Sequence, residues 1–221
     1  MQNEIAPLLI LLVIMSVVSC SQTPSAGPRR GVRGHTIRST DKPAVDLKFG
    51  KDFKYAGGQS FVLYNVATAE QHFYVDADKD GRVKRLYWIQ FEGFLPNNSH
   101  VYEYEVTKLV NIGGFDFIAD SWARNIKTDP GRPDGDGARA RAFLESKGYK
   151  LASDEVISQR LVHMVSDKKR DELMIIYLEV SPPGSAAVDL NKGGKDEARW
   201  NDISAGLLDR AQKGMKIRKI E

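Results

Sequence analysis

Beyond about residue 49 the apolar positions fall in runs dominated by β-branched and aromatic residues and bounded by Gly, Asn, Asp and Pro clusters. That is the pattern of strands, near-continuously apolar in Phe61–Val66 and alternating Tyr102 and Tyr104 against Glu103 and Glu105 in Val101–Val110. It predicts strands over Phe61–Val66, Gln71–Val75, Val83–Phe94, Val101–Val110 and Gly114–Trp122. Within the third, Leu86, Trp88 and Phe94 share one face, while Val83, Tyr87, Ile89 and Phe91 share the other. The cluster from Asp129 to Gly137 excludes regular structure, and behind it Ala140, Phe143 and Leu144 fall at helical spacing. Gly148 sits where a left-handed C-terminal cap belongs. Val156–Val165 and Leu173–Val180 read as a hairpin around the charged turn Ser166–Glu172, and the second strand is apolar on both faces until Glu179, as expected of a central strand. After a Pro- and Gly-rich loop over Pro182–Lys195, Trp200, Ile203, Leu207 and Ala211 form a helical stripe that Gly214 ends. Runs of hairpin-linked strands with helices inserted late predict an α+β fold. We expect a mainly antiparallel or mixed sheet of about seven strands, with two helices packed on one face, in a single domain over residues 46–221.

The N-terminus follows a different pattern. Ile5 to Val18 is an apolar run of 14 residues, interrupted by Pro7 and Ser16. At helical rise it covers about 21 Å against roughly 30 Å of hydrocarbon, a length that suits a signal peptide better than a permanent span. The leading segment Met1-Gln2-Asn3-Glu4 has neither Lys nor Arg, although such leaders are normally positive. Val17-Val18-Ser19-Cys20 closes the run with the only cysteine in the chain. This tetrapeptide resembles the lipobox of bacterial lipoproteins. The resemblance covers the first twenty residues and implies cleavage after Ser19, lipidation of Cys20, and retention on a membrane facing an extracytoplasmic space. Ser21, in place of an acidic residue, implies the outer membrane in an organism that has one. Two or more acyl chains make a stable anchor where one is marginal. A lone cysteine also excludes intramolecular disulfides, so the core alone must hold the fold.

The formal net charge of +3 hides an uneven distribution. Residues 20–45 carry Arg29, Arg30, Arg33, Arg38 and Lys42 against Asp41, which leaves residues 46–221 balanced. A nucleic-acid partner is therefore not expected. Rich in Ser, Thr, Pro and Gly, residues 20–45 read as a flexible tether, and cations beside a lipid anchor suit contact with anionic headgroups.

Candidate chemistry is sparse. Asp76, Asp78 and Asp80, with Gly81 after them, match the first half of a calcium loop. The twelfth position is Tyr87 instead of a bidentate Glu, and Arg82, Lys84 and Arg85 place positive charge where a cation would sit. The same residues suit a hairpin turn. Gly135-Asp136-Gly137-Ala138-Arg139-Ala140 imitates a dinucleotide fingerprint, but two aspartates would face the phosphates and no parallel βαβ framework precedes it. His35, His72, His100 and His163 lie apart, with no zinc-ligand spacing. Aromatic side chains are dense between residues 87 and 122. Most belong to the core, while Tyr87, Trp88, Tyr102, Tyr104 and Trp122 are candidates to line a ligand pocket under the strands. The expectation is a noncatalytic lipid-anchored envelope module binding a partner protein or small apolar ligand. Its rivals are an envelope hydrolase, with Asp76, Asp78, His100 and His163 as first suspects, and a calcium-dependent structural or adhesion module.

Overall fold

A computed structural model describes residues 27–220 and arranges them as two antiparallel sheets with helices on both sides. The larger sheet takes β4 (Lys54–Leu63), β5 (Ala67–Ala77), β6 (Arg82–Phe94), β7 (Leu109–Ile112), β8 (Phe115–Asn125), β10 (Glu155–Met164) and β11 (Asp171–Val180), in the order β4-β5-β6-β11-β10-β8-β7. The short β9 (Lys150–Leu151) adds a parallel pairing to β6. The smaller sheet has the order β1-β2-β3-β12, from β1 (Gly31–Arg33), β2 (Thr36–Thr40), β3 (Ala44–Phe49) and β12 (Met215–Lys219). Three helices complete the fold: α1 (Asp136–Ser146), the single turn α2 (Ala187–Leu190) and α3 (Trp200–Lys213). The molecule is α+β with a large, mostly antiparallel sheet. Among the described residues no helix is long and apolar enough to cross a membrane.

Alternation along the strands divides the core in two. Tyr87, Ile89 and Phe91 of β6, with Ile175 and Tyr177 of β11, meet Leu207 and Ala211 of α3 and Leu47, Phe49, Met215 and Ile217 of the small sheet. On the opposite face Leu86 joins Phe73 and Val75 beneath Ala140 and Leu144 of α1. The two long helices therefore lie on opposite faces of the sheet, not together on one. The apolar run Leu173–Leu178 of β11 needs cover on both sides, and one helix cannot supply it. A register shift next to Ala77 turns Val83 to the α1 side, with Leu86, away from Tyr87.

The tether expected over residues 20–45 is corrected over its second half. Residues 31–49 hold the three strands β1, β2 and β3, and Ile37, Val45 and Leu47 are each 0% exposed. Their burial offsets the ordering entropy that the polar composition suggested would win. Arg30 is tied down too, donating 2.9 Å to Glu70 Oε2 with its guanidinium 3.7 Å from the Phe91 ring centroid. Arg38 pairs with Asp46 and Lys42 with Asp171, so three of the five cations offered to headgroups are engaged within the fold. The tethering part of residues 20–45 that precedes residue 27, together with Cys20 and the signal-like run, lies outside the described residues.

The α1 terminator behaves as the sequence predicts. Gly148 takes φ +82°, its N–H bonds Glu145 O, and the Tyr149 N–H bonds Leu144 O, so the last carbonyls are satisfied in a Schellman closure. One predicted strand is absent: residues 101–106 of the Val101–Val110 run form an extended strap outside the sheet.

Candidate functional site

The site lies on the α1 face of the large sheet. Leu86 and Trp88 of β6, Ile176 and Leu178 of β11, Val156 and Ser158 of β10, and Trp122 of β8 form its floor and wall, and Gly137, Ala140 and Leu144 of α1 its roof. They enclose a cavity of about 300 Å³. Its position follows from how α1 is seated. Phe143 stacks on Phe73 with centroids 5.3 Å apart and covers Gly57, where a Cβ would come within 3.0 Å of the Phe143 ring. The helix thus leans over β4 and β5, and the sheet beyond β6 is left unfilled below it. The mouth opens past the exposed residues Pro130, Glu145, Lys150 and Asp154.

A polar seam runs across the same face beside the cavity. Gln59 Nε2 donates to Gln71 Oε1 at 2.8 Å, Gln71 Nε2 to Gln90 Oε1 at 2.8 Å, and Gln90 Nε2 to Glu92 Oε2 at 2.5 Å. Gln59 and Gln71 also donate to the Arg139 and Asp136 carbonyls, fixing the start of α1 on the sheet. The seam ends at two carboxyls directly opposed across the β6–β11 ladder, Glu92 and Glu172. Tyr102 donates to Glu92 at 2.8 Å and Tyr104 to Glu172 at 2.9 Å, so the strap is pinned by two phenols. Burial, and then the neighbouring Glu92 carboxylate, push Glu172 up to about 8 against the pull of the Tyr104 hydrogen bond. Burial raises Glu92 as well. At neutral pH Glu172 therefore keeps its proton while Glu92 accepts from Gln90 and Tyr102. Both carboxyls are engaged by the strap tyrosines, the places a substrate would need for proton transfer. Arg160 forms a bidentate pair with Asp120 and lays its guanidinium 5.1 Å from the Tyr104 centroid and 5.6 Å from that of Trp122, joining seam to cavity wall.

The opposite face holds a second buried polar string. His72 bridges Glu70 at 2.8 Å and Tyr55 at 3.0 Å, with Arg30 on the far side of Glu70. Burial opposes the Glu70 charge, but the His72 hydrogen bond, the Arg30 N–H and its guanidinium prevail and bring the carboxyl down to about 2. Burial raises the Tyr55 phenol to about 12. With His72 0% exposed and a phenol this weakly acidic, the string supports packing and offers no nucleophile.

Of the five aromatic candidates, Trp88 and Trp122 line the cavity; Tyr102 and Tyr104 stand in the strap and do not line it, Tyr104 packing with the two tryptophans and Tyr102 stacking on Phe94. Tyr87 does not join them. It is buried on the other face, where its hydroxyl donates 2.7 Å to Ala211 O, because beyond the register shift the odd positions of β6, Tyr87, Ile89 and Phe91, point away from α1. The three calcium-loop carboxylates face their own cations: Asp76 pairs with Arg85, Asp78 with Arg82 and Asp80 with Lys79. Asp78 also accepts from the N–H groups of Asp80 and Arg82, which is the bonding of a hairpin turn, with Gly81 at φ +76°. Among the described residues no three potential ligands gather around one point. His100 lies exposed in a loop and His163 bonds the Asp116 carbonyl, so the hydrolase suspects are not brought together. The Glu92–Glu172 pair escaped sequence reasoning because the two residues are 80 positions apart and only the β6–β11 register opposes them. Compared with protein-family models, curated proteins and solved structures, the chain finds a match in none of the three.

Proposed function

We propose that this chain is a noncatalytic, lipid-anchored extracytoplasmic module that holds a small apolar ligand between α1 and the large sheet. The observation that carries the ligand reading is the cavity itself, walled by Leu86, Trp88, Trp122, Ile176 and Leu178 and open to solvent at one end. Its volume of about 300 Å³ is at the small end of ligand pockets. A dry cavity of about 150 Å³ takes up benzene, so this one suits a molecule of two fused rings. The address rests on the lipobox resemblance at Val17–Cys20.

The three tryptophans provide a built-in test. Trp88 and Trp122 line the cavity, while Trp200 packs against the core of the other face. In the full chain labelled with 15N-tryptophan, added decalin is expected to shift the indole N–H signals of Trp88 and Trp122 saturably and leave Trp200 in place. Ala140→Phe, which fills the roof, is expected to abolish the shifts. Three unmoved signals, or three that move alike, would overturn the ligand reading.

A further inference from the structure

Polar groups are unevenly placed around the cavity. Charged side chains stand at its mouth, where Arg124 is paired with Asp129 at 2.9 Å and Arg141 donates to the Pro130 carbonyl at 3.2 Å. The floor carries one hydroxyl, Ser158. Its strand register sets it between Trp122 of β8 and Leu178 of β11, two apolar neighbours with no oxygen or nitrogen to offer beyond the Trp122 indole. Ser158 is 2% exposed, and among the described residues its hydroxyl has no hydrogen-bond partner. The indole N–H of Trp88 is also unpartnered but is fully enclosed, whereas Ser158 lines the cavity.

An apolar residue would fill this floor position without cost, as Val162 and Ile176 do on the same face. A buried hydroxyl left unpaired loses its water without compensation, and a ligand oxygen restores the missing bond. The mouth charges do not favour one sign, since Arg124 is neutralised by Asp129, and Arg141 and Lys150 are matched in number by Glu145 and Asp154.

We propose that the ligand is a neutral, largely hydrocarbon molecule bearing a single carbonyl or hydroxyl oxygen, which hydrogen-bonds Ser158 at the floor while the rest fills the space under α1. This rests on the cavity reading above and adds the chemical class. A site with one polar group deep in an apolar pocket selects ligands by the position of one oxygen, because a ligand lacking it leaves the hydroxyl unpaired.

The test compares 2-decalone with decalin, which share a ring frame and differ in one carbonyl, through the Trp88 and Trp122 indole signals of the full chain. Ser158→Ala is expected to weaken 2-decalone about fivefold, the order of one neutral hydrogen bond, and to leave decalin unchanged. Ser158→Cys, a weak donor of similar size, is expected to behave like the alanine variant, and an unmoved Trp200 signal shows that both variants remain folded. If both ligands weaken equally, or 2-decalone is unaffected, the oxygen-bearing class is wrong while the cavity reading stands. If neither ligand moves Trp88 or Trp122 in the unaltered chain, the cavity reading itself fails.

Discussion

Glu172 ties the stability of this protein to pH in a direction opposite to that of most carboxylates. Its folded value of about 8 lies above the ordinary 4.5, so between those limits the folded chain holds a proton that the unfolded chain releases. Its contribution is intact below pH 4.5 and is lost as pH rises toward 8, at up to about 1.4 kcal/mol per pH unit. Glu172→Gln keeps the position neutral at every pH and still accepts from Tyr104. The variant is expected to be the more stable chain at pH 8 and to show a flatter profile between pH 5 and 8, measured by urea unfolding. An unchanged slope would contradict a protonated Glu172. Glu70 has the reverse sign. With a folded value of about 2, its contribution is present above 4.5 and lost only as the solution is acidified. Removing its cation by Arg30→Ala leaves a carboxylate at 6% side-chain exposure without its guanidinium partner, and is expected to cost about 3 kcal/mol at neutral pH. A loss below 0.5 kcal/mol in the same assay would mean that the pair is as weak as an exposed one.

At the scale of elements, the hairpins and α1 were legible because their signals are local. The turn after Asp78, the Gly148 closure and the β10–β11 hairpin are each written within a few residues. The small sheet was not legible although buried positions recur at every second residue, Ile37 with Ser39, Val45 with Leu47 and Phe49, and Met215 with Ile217, with only the ion-paired Asp46 breaking the period. The charge and the Ser, Thr and Gly content of residues 20–45 outweighed that period in the reading, and the pairing of β3 with β12 spans the chain and has no local signature. Tyr102 and Tyr104 alternate like a strand and form none, because their hydroxyls bind Glu92 and Glu172 while the backbone stays off the ladder. The cavity was legible only as aromatic density. Trp88 and Trp122 become its wall through the order β6-β11-β10-β8, which no spacing in the sequence reveals. The small sheet also yields a prediction. Deleting residues 22–45 removes β1, β2 and the start of β3 from the core, so the shortened chain is expected to lose its cooperative melting transition. A chain that melts as before would restore the tether reading for the whole segment.

At the scale of the whole molecule, the small sheet joins both ends of the described chain. β3 pairs with β12, and Arg30, just inside the first described residues, is held on the large sheet. Any segment between a lipidated Cys20 and the folded body is then short, and the domain would sit close to the membrane instead of reaching away from it. Cys20→Ser is expected to move the protein from the membrane fraction to the soluble extracytoplasmic fraction, and mass spectrometry of the native N-terminus is expected to find diacylglycerol on Cys20. A membrane-bound Cys20→Ser variant would contradict the anchor. The ion-paired aspartates of the Asp76–Asp80 turn lead to a further expectation, that millimolar calcium leaves the melting temperature unmoved. A rise reversed by chelator would favour the calcium-dependent module. The central claim is occupancy of the space under α1, and a crystal of the full chain grown with 2-decalone tests it most directly. We predict ligand density among Leu86, Trp88 and Leu178 with its oxygen within hydrogen-bonding distance of Ser158. A cavity filled by ordered water, with the ligand elsewhere or absent, would contradict the account.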